Sequence, residues 1–198
     1  MRPRCGRVYL FAEVLYSGGR EVRMKKRTNQ QQAKKIIKQV SVIFVAEDSS
    51  VILGKLKKGP GKGFWSTVSG NITSNEDRET TGHPTAAIRV ACEQFGLSVE
   101  KVQYAGFVTL RFRNALSERI TYVFRAQTWN GFPKPHKDIF SEVNYFPVRD
   151  IPWELMMPGD AEWLIHALKG RYRIGVDIRC DVTRLEVDHI NIGLYKDA

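Results

Sequence analysis

Pro84 and Gly96 bracket a run in which Ala86, Ala87, Val90, Ala91 and Phe95 recur at helical spacing. Proline suits the first turn of a helix, where its missing N–H costs no hydrogen bond. Glycine supplies the left-handed stop at the other end. This helix is flanked on both sides by strand patterns, which limits the fold more than any other feature. Before it come the buried runs "QVSVIFVA" and "VILGKL", a Gly/Pro/Lys loop "KKGPGKG", and the short strand "FWSTVSG" leading into the loop "GNITSNE". After it come strands at about Val102–Phe112 and Ile120–Gln127, then "NYFPV", a second helix in "GDAEWLIHALKG" and a last hairpin in the tail. The order β-β-loop-β-α-β-β-β-α-β predicts an α+β domain with a mixed β-sheet sandwiched between helices.

Charge divides the chain differently. Residues 1–40 hold 11 Lys/Arg and two acids, a net +9, whereas the other 158 residues hold 20 and 19, a net +1. "RVYLFAEVL", "YSGGR" and "REVRMKKR" read as a basic hairpin turning at Gly18-Gly19, and "TNQQQAKK" reads as a linker. The expected division is therefore a hairpin extension and linker over 1–35 and a folded domain over 36–198. Lys25, Lys26 and Arg27 in the hairpin, with Lys55, Lys57, Lys58 and Lys62 in the glycine-rich loop, form either a solvated surface or a contact for phosphates, including RNA. Apolar runs of about 5–9 residues fall short of the ~18 needed to span a bilayer, so no membrane partner is expected. Cys5, Cys92 and Cys180 show no paired spacing, which implies a reducing, intracellular compartment, cytoplasmic or organellar, and no structural zinc. The Arg-containing first dozen residues fit a mitochondrial-type leader weakly and a strand better.

The chemistry sits around the first helix. Arg89 and Glu93 are four apart and share a face, and the glycine loop ends in Glu76. Mg²⁺ bound to phosphates keeps waters and needs few protein carboxylates, and a glycine carbonyl can add a ligand. Gly70, Glu76, Arg89 and Glu93 thus make a half-site for metal and diphosphate, against the plainer alternative of a surface helix with an Arg–Glu pair. The four histidines are scattered without ligand spacing.

The run "VILGKLKKGPGKGFWSTVSGNITSNE…RVACEQFGL" resembles the Nudix hydrolases, the MutT-type superfamily that cleaves nucleoside diphosphate derivatives. The likeness runs from about Lys38 to the C-terminus and is nearest to the 8-oxo-dGTP diphosphatase group. The family box is Gly, five residues, Glu, seven residues, then Arg-Glu-aliphatic-x-Glu-Glu-x-Gly-aliphatic. Gly70, Glu76, Arg89, Glu93, Gly96 and Leu97 match it. The gap from Glu76 to Arg89 holds twelve residues rather than seven, an insertion a loop absorbs at little cost. Val90 stands at the first helix Glu and Gln94 at the last. The resemblance implies Gly70, Glu76 and Glu93 as metal ligands for Mg²⁺ or Mn²⁺, and Arg89 with Glu93 as the catalytic pair. Asp77, Glu79 or Glu142 would then be the compensating acid or base. It also implies a nucleotide site at Trp65, Ser66 and Asp160, where Ser66 replaces the group's Asn and Gly159 the first of its two Asp residues. A Trp at a strand start is more often simply core, the plainer reading of Trp65.

Losing a positioned base typically costs about 10²–10⁴-fold in rate. The expectation is therefore a Nudix fold with an eroded box, a weak or inactive hydrolase that binds RNA, a ribonucleoprotein or a nucleotide phosphate. The alternative is an active Mg²⁺-dependent nucleoside diphosphate-X hydrolase. Homodimerisation through the hairpin is a third use of the extension.

Overall fold

The computed structural model describes residues 35–78 and 83–196. The expected hairpin and linker, with Lys25, Lys26 and Arg27, and the loop acid Glu79 lie outside the described residues. Nine strands and two helices follow in the order β1 (Lys35–Ile43), β2 (Ser50–Leu56), β3 (Trp65–Ser66), β4 (Val68–Asn71), α1 (Pro84–Phe95), β5 (Ser98–Phe112), β6 (Ser117–Asn130), β7 (Phe140–Pro147), α2 (Asp160–Lys169), β8 (Arg173–Cys180) and β9 (Val187–Tyr195). Among the described residues no helix is long and apolar enough to cross a membrane.

Six strands form one mixed sheet in the order β4-β1-β6-β5-β8-β9, parallel at β1–β6 and β5–β8 and antiparallel elsewhere. Side chains alternate across it as strand geometry requires. Val40 and Val42 of β1 pack with Ala87, Val90, Ala91 and Phe95 of α1. Ile43, one residue on, belongs to a second cluster with Trp163, Leu164 and Ala167 of α2. Each helix therefore covers one face. A helix covers its face only by placing an apolar stripe there, and the stripes read from the sequence are the ones buried.

Two details depart from a single sheet. A separate antiparallel sheet has the order β3-β2-β7. The run "FWSTVSG", expected as one strand, divides at Thr67: Trp65–Ser66 pairs with β2, while Val68–Asn71 pairs with β1. Trp65 and Val68 are buried in different clusters, so the chain must change sheets between them. In β5, Gly106 (φ 129°) sits at a register shift. A side-chain carbon there would lie 1.9 Å from the Ile174 carbonyl, so only glycine lets β8 run alongside.

The ends of α1 follow their chemistry. Pro84 occupies the first turn, and Gly96 (φ 67°) closes the helix with its N–H on the Cys92 carbonyl at 2.9 Å. His83 precedes it, buried; its Nδ1 lies 3.1 Å from the Glu76 carbonyl and its ring 4.9 Å from that of Tyr122.

Candidate functional site

Strand β4, the acidic turn after it and α1 meet at Arg89. Its guanidinium donates to both oxygens of Glu76, from Nε at 2.7 Å and from Nη2 at 3.0 Å. Nη1 reaches Glu93 at 2.9 Å and Nη2 the Asn71 carbonyl at 2.9 Å. Glu76 also accepts from the Thr73 N–H and hydroxyl, each at 2.8 Å, and is buried. The Arg89 hydrogen bonds, with those from Thr73, lower the Glu76 pKa to about 2 against the cost of burial, and the same bonds raise that of Arg89. Both Glu76 oxygens are thus occupied by protein donors. The structure brings Gly70, Glu76, Arg89 and Glu93 into one neighbourhood, with Arg89 holding turn, strand and helix together.

The two altered box positions have structural partners. Val90 is fully buried beneath β4. A side-chain carbon added at Gly70 would meet Val90 Cγ2 at 2.7 Å, so the glycine and the valine fill one space between them. Gln94 is buried and turned to the backbone of β4: its Nε2 donates to the Ser69 carbonyl at 2.6 Å, and its Oε1 accepts from the Ser69 N–H at 3.2 Å. An amide can do both; a carboxylate can only accept. The Gln94 carbonyl oxygen is thus engaged by Ser69.

Nudix hydrolases typically use a divalent metal. Among the described residues of β4, the turn and α1, the second oxygen of Glu93 and the Gly70 carbonyl are left to one. Among the described residues no group of three or more His, Cys, Asp or Glu side chains is placed to share an ion. The described residues do not fit a firmly held resident cation.

Of the acids expected to compensate, the two described, Asp77 and Glu142, are engaged elsewhere. Asp77 lies 2.6 Å from Lys38 Nζ, a bond that raises the lysine pKa. Glu142 lies on β7 opposite Lys55 of β2 and pairs with it at 3.0 Å. The basic loop is correspondingly uneven. Lys55 is neutralised by Glu142 and lies over the Trp65 ring, and Lys57 donates to the Lys137 carbonyl at 2.8 Å. Lys58 and Lys62 are exposed.

The three residues expected at a nucleotide also separate. Trp65 is core, 6% exposed, with its ring edge-on to Phe146 at 4.8 Å. As it stands it offers no open face to a base. Ser66 and Asp160 line a cavity of about 130 Å³ on the α2 side of the large sheet. Asp160 is buried there, accepting from Trp163 Nε1 at 3.1 Å and from Arg184. Arg119 of β6 and Arg184 also line the cavity, and the sequence reading did not single them out. The available signal was the alternation Arg119, Thr121, Val123, which places an arginine in register with inward positions of a strand.

The fold of this chain is shared with MutT proteins. The MutT protein of Bacillus halodurans superposes with a TM-score of 0.64 at 19% identity, covering 79% of this chain and 97% of that one. A MutT protein of Methanosarcina mazei does so with a TM-score of 0.56 at 16% identity, covering 69% and 96%. The chain belongs to the Nudix family, matching the NUDIX domain over residues 36–167. It is also 25% identical over 138 residues to the oxidized purine nucleoside triphosphate hydrolase of Danio rerio, covering 70% of this chain and 84% of that protein. The corresponding mouse protein is 25% identical over 123 residues, covering 62% and 74%.

Proposed function

We propose that this chain is a Nudix-fold binder of phosphate-bearing ligands, a nucleotide or RNA, whose own diphosphate hydrolysis is weak or lost. The observation that carries this reading is the two-point hydrogen bond between Gln94 and Ser69, beside a buried Val90. Two of the helix positions that the family uses for carboxylates here hold a strand in place. With the charge of Glu93 shared with Arg89, water on an ion at this helix gains little acidity, since activation depends on an ion held firmly by the protein. The names of the zebrafish and mouse relatives make nucleoside triphosphates the first ligands to try. Exposed Lys58 and Lys62, together with the net +9 of residues 1–40, supply the charge for RNA.

The retained Glu76–Arg89–Glu93 network favours the second reading, an active hydrolase taking Mg²⁺ or Mn²⁺ together with its substrate. Two assays separate the readings. RNA affinity should fall steeply with salt and drop when residues 1–35 are removed; affinity indifferent to that truncation contradicts a role for the extension. Phosphate or pyrophosphate release from nucleoside triphosphates, dinucleoside polyphosphates and ADP-ribose with either metal should stay near background. Turnover that Glu93→Gln abolishes would establish the hydrolase instead.

A further inference from the structure

On the α2 side of the large sheet, Arg119 of β6 carries a part-buried positive charge beside Arg184 and Asp160. Its Nε is buried with no hydrogen-bond partner among the described residues. Its ring contact is with Phe112, 5.5 Å from the guanidinium carbon. Burial and the neighbouring Arg184 both act to lower its pKa, yet arginine stays protonated in proteins. The protein therefore holds a part-buried positive charge that Asp160 offsets only in part.

Arg184 stands across the same cavity. One nitrogen donates to Asp160, while its Nε is also buried and unpartnered. It comes from the β8–β9 turn with φ 66°, a conformation that bulky side chains rarely adopt. The turn is built to hold it: Asp181 accepts from the Thr183 N–H and hydroxyl and from the Glu186 N–H, and these bonds lower its pKa to about 2. Two arginines and one carboxylate leave the cavity with a net charge of +1. Ser66, Ser69 and Thr121 add hydroxyls to its wall.

We propose that this cavity is a binding site for a single phosphate group, held by Arg119 with Arg184 as the second cation and Asp160 as the brace that orients Arg184. About 130 Å³ is small beside the roughly 300–1,000 Å³ of ordinary ligand clefts, which suits one tetrahedral oxyanion better than a whole nucleotide. A neutral base seated there would leave the Arg119 charge part-buried and only partly offset, the costly arrangement. A phosphate supplies acceptors for both guanidinium groups in their favoured forked geometry. The assignment draws on the reading of the chain as a phosphate-ligand binder only for the molecule that carries the group, not for the pocket itself.

The test is a thermal-shift and calorimetric titration of the full chain in EDTA, so that no metal-dependent binding contributes. The probes are inorganic phosphate, guanosine 5′-monophosphate and guanosine. Phosphate and the monophosphate should raise the wild-type Tm, guanosine should not, and the stronger of the two anions identifies whether the group arrives free or on a nucleotide. Arg119→Gln should weaken that binding roughly 10–100-fold, the worth of a charge-assisted contact, and Arg119→Lys should recover part of it. Without ligand, Arg119→Leu should melt at or above the wild type, because it removes a part-buried charge that is only partly offset. A ligand-free Arg119→Leu melting well below the wild type, or a phosphate response that survives Arg119→Gln, would overturn the assignment. So would guanosine binding as tightly as its monophosphate.

Discussion

The α1 side and the α2 side of the large sheet treat their arginines in opposite ways. On the α1 side, Arg89 spends its donors on Glu76, Glu93 and Asn71, and Gln94 spends both ends of its amide on Ser69. On the α2 side, the Nε atoms of Arg119 and Arg184 are buried without a hydrogen-bond partner among the described residues, and Arg184 donates to Asp160. Buried polar groups normally find partners. A fully satisfied network holds a fold together, while an unsatisfied one stores an interaction that a ligand can complete. That contrast is what the proposed reading rests on: α1 acting as scaffold, with recognition across the sheet.

The comparison can be broken most forcefully at Arg89. Arg89→Met leaves Glu76 a buried carboxylate without its cation and should cost about 3–5 kcal/mol in urea unfolding at pH 7. A loss under 1 kcal/mol would mean that the turn is not held by this pair. Gln94→Glu sets a carboxylate against the Ser69 carbonyl and removes a donor, which should cost about 1–3 kcal/mol at pH 7. The deficit should shrink towards pH 4, where a protonated acid regains a donor. An unchanged or raised Tm at pH 7 would show that Gln94 was not serving β4. Gly70→Ala should cost about 1–3 kcal/mol through overpacking against Val90, and Val90→Ala in the same chain should recover part of it. Strict additivity of the two changes would contradict their shared space.

The smallest effect is the acid limb. Glu76 has a folded pKa depressed to about 2 from an ordinary 4.5. Its contribution to stability is therefore complete above the unfolded value and lost as pH falls from there through the folded one. With Arg89 about a third exposed, that contribution is about 1–2 kcal/mol after screening. Unfolding free energy measured from pH 6 to pH 2 should fall across this window, and Glu76→Gln should flatten the fall. A slope that Glu76→Gln leaves unaltered would place the acid sensitivity elsewhere.

Much of this was legible in the sequence because it is local. Pro84 and Gly96 mark the ends of α1, and spacing alone aligns Arg89 with Glu93. That Val90 fills the space under Gly70 needed coordinates. The division of Trp65–Ser66 and Val68–Asn71 between sheets was not legible, since alternation fixes which face a residue takes but not which strand it joins. Asp77 and Glu142 were free acids in the sequence; Lys38 and Lys55 become their partners only through tertiary placement. Arg119 and Arg184 meet only because β5 and β8 run side by side and the next turn folds back. Gln94 was misleading because its type shows an available oxygen, while its position decides that the oxygen is taken.

The central claim is that this helix now binds its own strand in place of a metal ion. Pyrophosphate release from nucleoside triphosphates, measured with Mg²⁺ and with Mn²⁺ for the wild type and for Glu93→Gln, tests it most directly. The account predicts that the two proteins are indistinguishable and near background. Turnover by the wild type well above that of Glu93→Gln would contradict it.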